Sequence, residues 1–227
     1  MKLLAIETST DRCSCAIALD GECRAYDRHA PRQHAELILE MISELLQESD
    51  LRLRDLNGVA FGRGPGSFTG VRIAASVTQG LAYGADLPVV GISSLQALAQ
   101  GVRRGRGKTH VLTAFDARMS EVYWGAYREE DEIMAPVIED GVFAPQKVPI
   151  PASSVPWHGA GDGWSAYADI LAQRLPETAA QSCMVIYPSA IDIITLASAA
   201  FEKGQTVSAL MALPVYLRDT VTRRRSD

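Results

Sequence analysis

Gly64, Gly66, Ser67 and Thr69 stand in the stretch FGRGPGSFTGVRIAASVTQGLAYG, between an apolar run and a helical pattern. Glycines in that context let backbone N–H groups converge on an anion at a helix N-terminus. No lysine follows them, so the loop reads first as a sharp strand-to-helix entry. Ser67 and Thr69 are then caps for the free N–H groups of the helix, and an anion site over Gly64–Thr69 is the alternative. Other chemistries fail on spacing. In GVRRGRGKT the interval from Gly101 to Gly107 holds five residues, whereas a P-loop needs four and runs from strand to helix. Ser67 has Pro65 and Thr69 where a nucleophile elbow needs glycines. His29 and His34 are five apart with Pro31 between them, and His110 and His158 stand singly on β-like segments, so no helical metal pair forms. Cys13 and Cys15 share one face of a strand, and no second pair completes a four-ligand set around them. With Cys23 and Cys183 they read as ordinary reduced thiols. Neither a metal nor a cofactor is expected.

The chain has 227 residues, 47% hydrophobic and 22% charged, with a net charge of −5. That is the profile of a globular protein with a sizeable core. No apolar run approaches the ~20 residues that span a bilayer, and MKLLAIETSTDR is acidic too early for a signal peptide, so a cytoplasmic location is expected. The negative charge argues that any RNA is gripped mainly through a partner.

Positioning elements follow from periodicity and turn residues. KLLAIE, CSCAIAL and ECRAYD are three short strands, with Asp20-Gly21 as a hairpin turn. A helix over about 33–48, a strand over 57–61, the glycine loop, a helix over about 70–83, a strand over 87–92 and a helix over about 94–102 come next. The run RRGRGK reads as a basic linker, and a lobe boundary is placed there, giving residues 1–104 and 105–227. HVLTAFD, EVYWGAY and EIMAPVIED then repeat the three-strand opening. A Pro-rich stretch, the strand WHGAG and helices over about 165–175 and 189–202 follow, so element order suggests duplicated α/β lobes, the second simplified.

Two helices carry apolar or small residues beyond one stripe. In the first, Ala35, Ile38, Leu39, Ile42, Leu45 and Leu46 are read as the core stripe, leaving Leu37 and Met41 on a face that should be wet. In the second, Ser76, Gly80 and Gly84 form a small-xxx-small row, and Ala74, Thr78 and Ala82 form another. Small side chains let helix axes approach closely. Leu37, Met41, Leu45, Ser76, Gly80 and Gly84 are therefore the candidate partner-facing residues.

AIETSTDRCSCAIA, GPGSFTGVRIAASVTQGLA, DARMSEVYWGAY and PVYLRD together resemble the TsaB (YeaZ) family, over about residues 4–219. The resemblance implies the actin/Hsp70/sugar-kinase-like (ASKHA) fold, an α/β architecture of two lobes, each with a five-stranded mixed sheet. It implies a non-catalytic role in making threonylcarbamoyladenosine in tRNA, beside the transferase TsaD, with the ATPase TsaE joining the assembly. The helices over 33–48 and 70–83 would pair with TsaD as a four-helix bundle, or with a second copy when TsaD is absent. Contact with tRNA would be indirect or weak. TsaD holds its metal through an HxxxH pair; here Ser93, Ser94, Ala97 and Leu98 occupy that region. The alternatives are an autonomous metallopeptidase and a small-molecule ATP-dependent phosphotransferase of the same fold. Arg103, Arg104, Arg106 and Lys108, with Arg223, Arg224 and Arg225, read as a solvated linker and tail, against the sharper reading that they extend a tRNA path.

Overall fold

The computed structural model describes residues 1–19, 21–181 and 187–218. Cys183 and the Arg223–Arg225 run lie outside them. Strands β1 (Leu3–Glu7), β2 (Arg12–Leu19) and β3 (Glu22–His29) form an antiparallel meander, with Gly21 at φ 91° in the tight turn between the last two. Helix α1 (His34–Glu48) leads to β4 (Gly58–Gly62), α2 (Phe68–Ala85) leads to β5 (Val89–Ile92), and both strands add in parallel. The sheet order is β3-β2-β1-β4-β5. After α3 (Ser94–Arg106) the chain repeats the opening with β6 (His110–Asp116), β7 (Val122–Glu130) and β8 (Ile133–Phe143). Strand β9 (His158–Ala160) adds in parallel to β6, giving the order β8-β7-β6-β9. The second sheet thus has four strands among the described residues, not the five that the resemblance implies. Three short helices, α4 (Gly163–Ala166), α5 (Ala168–Arg174) and α6 (Pro176–Gln181), precede the longer α7 (Ala190–Glu202).

Alternation along β1 sends Leu4 and Ile6 to one face and Leu3 and Ala5 to the other. The first pair packs with Cys13, Cys15, Val59 and Phe61 beneath α1 and α2. The second pair packs with Ala16, Ala60, Val90 and Ile92 beneath Ala190, Ile193, Leu196 and Ala197 of α7. Cys13 and Cys15 are buried on that α1–α2 side, and burial pushes their thiols up to about 11 and about 12, so both stay neutral.

The last helix of each half packs on the other half's sheet. Leu95, Leu98, Ala99 and Val102 of α3 join Val111, Phe115, Tyr127 and Met134 of the second lobe, while α7 closes the first sheet. The basic run is therefore not a linker. Helix α3 continues through Arg106 and ends on Gly107, left-handed at φ 64°, so the expected boundary near Gly105 falls inside its last turn. Arg104 makes a two-point pair to the buried Asp192 of α7 at 2.8 and 3.1 Å, and Arg103 pairs with Glu129 and Glu132. Arg103 and Arg104 thus join α3 to its neighbours. Asp192 keeps a carboxyl pKa above the ordinary range through burial, with Arg104 opposing that rise.

Candidate functional site

The glycine loop is packed against the β1–β2 connection. The Ser67 N–H donates to the Ser9 carbonyl at 2.7 Å, and the Ser94 N–H donates to the Gly64 carbonyl at 2.9 Å. A Cβ on Gly66 would stand 2.5 Å from the Ser9 carbonyl oxygen, and Gly64 needs its freedom at φ 97°. Ser67 is the N-cap of α2, its Oγ accepting from the Gly70 N–H at 3.3 Å. Thr69 does not cap: the helix begins two residues earlier than expected, and Thr69 is exposed in its first turn. Amides that could have cradled an anion are thus bonded within the chain at Ser67 and Gly70.

Helix α1 corrects the expected faces. The residues packed on the sheet are His34, Ile38, Met41, Ile42 and Leu45. Met41 is fully buried and Leu45 nearly so, and Leu37 is half-buried against the same core. Leu39, expected in the core, is 53% exposed, and Ala35 is exposed beside it in the helical array. The difference is one of rotation: the arc through Ile38, Met41, Ile42 and Leu45 is buried, and Glu44 and Glu48 on the adjoining flank reach β3, pairing with Arg28 and accepting from Tyr26. Met41 and Leu45 are consequently core residues of the chain itself, and a charge placed at Met41 would strike the fold.

Helix α2 separates its two small-residue rows. Ala74, Thr78 and Ala82 are fully buried on the sheet. Ser76, Gly80 and Gly84 face outward, and a Cβ at either glycine would have nothing within 4 Å. Tyr83, 71% exposed, stands at the edge of this bare strip, and Phe68, 52% exposed, stands at its start. The outward surface of the α1–α2 layer therefore combines Ala35 and Leu39 with Ser76, Gly80, Gly84 and Tyr83. Sequence reasoning missed Leu39 and Tyr83. Tyr83 was detectable as an aromatic three residues beyond Gly80 on the same side of the helix.

The positions where a metal pair would stand are committed to structure. Ser93 caps α3, its Oγ accepting from Leu95 and Gln96 N–H groups at 3.2 Å each and donating to Asp140 at 2.5 Å. Ala97 and Leu98 are buried. Ser94 donates to Glu7 at 3.1 Å, and the Ser9 N–H donates to the other Glu7 oxygen at 2.5 Å. Among the described residues no three His, Cys, Asp or Glu side chains gather as a metal-holding group. Across the cleft between the lobes, Asp116 accepts from Tyr167 at 3.0 Å and pairs with Arg118 at 2.9 Å.

Burial raises the Glu7 pKa above its ordinary 4.5, and the Ser9 and Ser94 hydrogen bonds oppose the rise. The folded chain then holds this proton more tightly than the unfolded chain. The contribution is most favourable below 4.5 and falls as pH rises from there to the folded pKa, where the loss levels off. Glu7→Gln should flatten the part of the stability curve that lies above pH 4.5. Melting temperatures of both proteins across that range check it. Parallel curves for wild type and variant would remove Glu7 as a source of the slope.

Two lobes that each open on a three-strand antiparallel meander with a further strand added in parallel to its first strand, and whose last helices pack on each other's sheets, define the ASKHA fold. The family described as "TsaD: tRNA N6-adenosine threonylcarbamoyltransferase" matches residues 27–222. The chain is 41% identical to the tRNA threonylcarbamoyladenosine biosynthesis protein TsaB of Escherichia coli K12, over 99% of the chain and 98% of that protein. It is 37% identical to the protein of the same name from Haemophilus influenzae, over 99% and 97%. The solved structure of YeaZ from Pseudomonas aeruginosa superposes with a TM-score of 0.89 at 41% identity, covering 95% of the chain and 99% of that structure. The chain belongs to the TsaB (YeaZ) family. No helix among the described residues is long and apolar enough to cross a membrane.

Proposed function

We propose that the chain is a non-catalytic subunit of an assembly that makes threonylcarbamoyladenosine in tRNA, pairing through α1 and α2 with a TsaD-type transferase. The observation that carries this reading is the bare strip of Ser76, Gly80 and Gly84 on α2, with Tyr83 exposed on the same helix and Leu39 exposed on α1. A helix interior that leaves two glycines facing solvent gives up about 1 kcal/mol each relative to alanine. A partner helix packed closely against that strip would offset this loss. Leu37 keeps a lesser place at the margin of the surface; Met41 and Leu45 act only by supporting α1 from below. In the absence of the transferase a second copy covers the same strip. TsaE joins through the assembly, and tRNA is held chiefly by the partner.

The groups that would serve a metallopeptidase or a phosphotransferase have other work in this chain: Ser93 caps, Glu7 is buried beneath the glycine loop, and Asp116 holds the β6–β7 turn. The test is reconstitution. The purified chain, incubated with tRNA and threonylcarbamoyl-adenylate, should form no modified adenosine by mass spectrometry until the TsaD-type partner is added. Product from the chain alone, free of that enzyme, would overturn the reading.

A further inference from the structure

After α7 the chain returns over the first lobe and then crosses to the second. Val207 pairs with Val89 at the outer edge of β5, with bonds of 2.8 and 2.9 Å. Ala209 and Ala212 are buried in the same cluster as Ala74, Ala75 and Ala82 of α2. The Val215 N–H donates to the carbonyl of Arg63, the residue after β4, at 2.8 Å. Tyr216 is fixed on the flank of α2: its hydroxyl accepts from Arg72 Nε at 2.8 Å, and its ring lies 5.7 Å from that of Phe68. The Arg72 guanidinium lies 3.6 Å over the Phe68 ring. Two residues later, Arg218 reaches the second lobe. It pairs with Glu121, donates to the Arg118 carbonyl at 3.4 Å, and stands 3.4 Å from the Met119 sulfur.

The receiving turn is unusual. Arg118, Met119 and Ser120 all take left-handed conformations, at φ 61°, 55° and 59°, and none is glycine. Left-handed non-glycine residues persist where surrounding contacts over-determine them. The contacts here are internal (Arg118 to Asp116, and Glu121 N–H to the Arg118 carbonyl at 3.1 Å) and external, from Arg218.

We propose that residues 215–218 form a latch across the mouth of the cleft between the lobes. The Arg63 carbonyl and Arg72 anchor it, Arg218 is its pin, and the β6–β7 turn is its keeper. Val215 bonds at the residue after β4 and Arg218 bonds in the turn after β6, so this segment bridges the ends of one strand from each sheet. While the pin is in place, the turn is held left-handed and the two lobes are tied together at this edge. Withdrawing it frees the turn and the Val215 amide together, leaving the α1–α2 layer intact.

Hydrogen exchange with mass spectrometry on the full chain tests this, comparing wild type with Arg218→Ala and with Glu121→Gln. Either variant should speed exchange of the amides of residues 117–121 and of Val215 by at least about tenfold, while α1 keeps its wild-type protection. Unchanged exchange at the turn and Val215 in both variants would overturn the latch. So would acceleration spread equally into α1, which would mark general destabilisation.

Discussion

Gly70→Ala should destabilise the chain by about 3 kcal/mol or more, the largest effect expected of any single methyl group added to α2. A Cβ at this position would stand 1.9 Å from the Thr8 carbonyl oxygen, which is backbone and cannot rotate away. Helix α2 would have to lift from the end of β1. That movement would stretch the 2.8 Å hydrogen bond from the buried Thr8 hydroxyl to the Gly70 carbonyl and draw Ser67 away from Ser9. Urea unfolding measures the effect. Gly80→Ala is the internal control, because its Cβ meets nothing and it should gain up to about 1 kcal/mol from helix propensity alone. A Gly70→Ala midpoint matching wild type would show that the loop is not pinned as described.

Gly80→Leu should leave the isolated chain folded and cost it its partner. The added side chain projects into open space in the lone chain. Between two closely packed helices it would force the axes apart. Binding to the TsaD-type partner and self-association should both weaken at least about tenfold, or about 1.4 kcal/mol, with a melting temperature no lower than that of wild type. Leu39→Asp should act in the same direction, by placing a charge in the apolar part of the surface. Calorimetric titration against the partner and sedimentation of the chain alone measure the two associations. Variants that stay folded and associate normally would exclude this surface as the interface.

Much of this architecture was legible in the chain. Asp20-Gly21 between two alternating runs announced a hairpin, and β2 pairs with β3 in register from Leu19↔Glu22 to Arg12↔His29. The glycine loop announced a sharp helix entry, and Ser67 caps α2. The repeated three-strand opening announced two lobes. The glycines of α2 were recognisable as a strip because Ser76, Gly80 and Gly84 recur every fourth residue.

Rotation and distant pairing were not legible. Helix α1 carries apolar residues on two overlapping arcs, one through Ile38, Met41, Ile42 and Leu45 and one through Ala35, Leu39, Ile42 and Leu46. Periodicity fixes the angle between residues around a helix axis but not the angle of the whole helix to its sheet. The contacts of Glu44 and Glu48 with β3 go with the first arc, buried Met41 and exposed Leu39. The charge run after α3 posed the same problem at longer range. Arg104 meets an aspartate 88 residues away, and nothing local to RRGRGK distinguishes a solvated end from a pair to a buried carboxylate. The sequence by itself therefore determined the element order, the turns, the helix entry and the family. Only the tertiary structure decided which face of α1 meets solvent, which sheet α3 and α7 each cover, and which arginines are spent in pairs. Local geometry is set by neighbours along the chain, whereas orientation and charge pairing are set by neighbours in space.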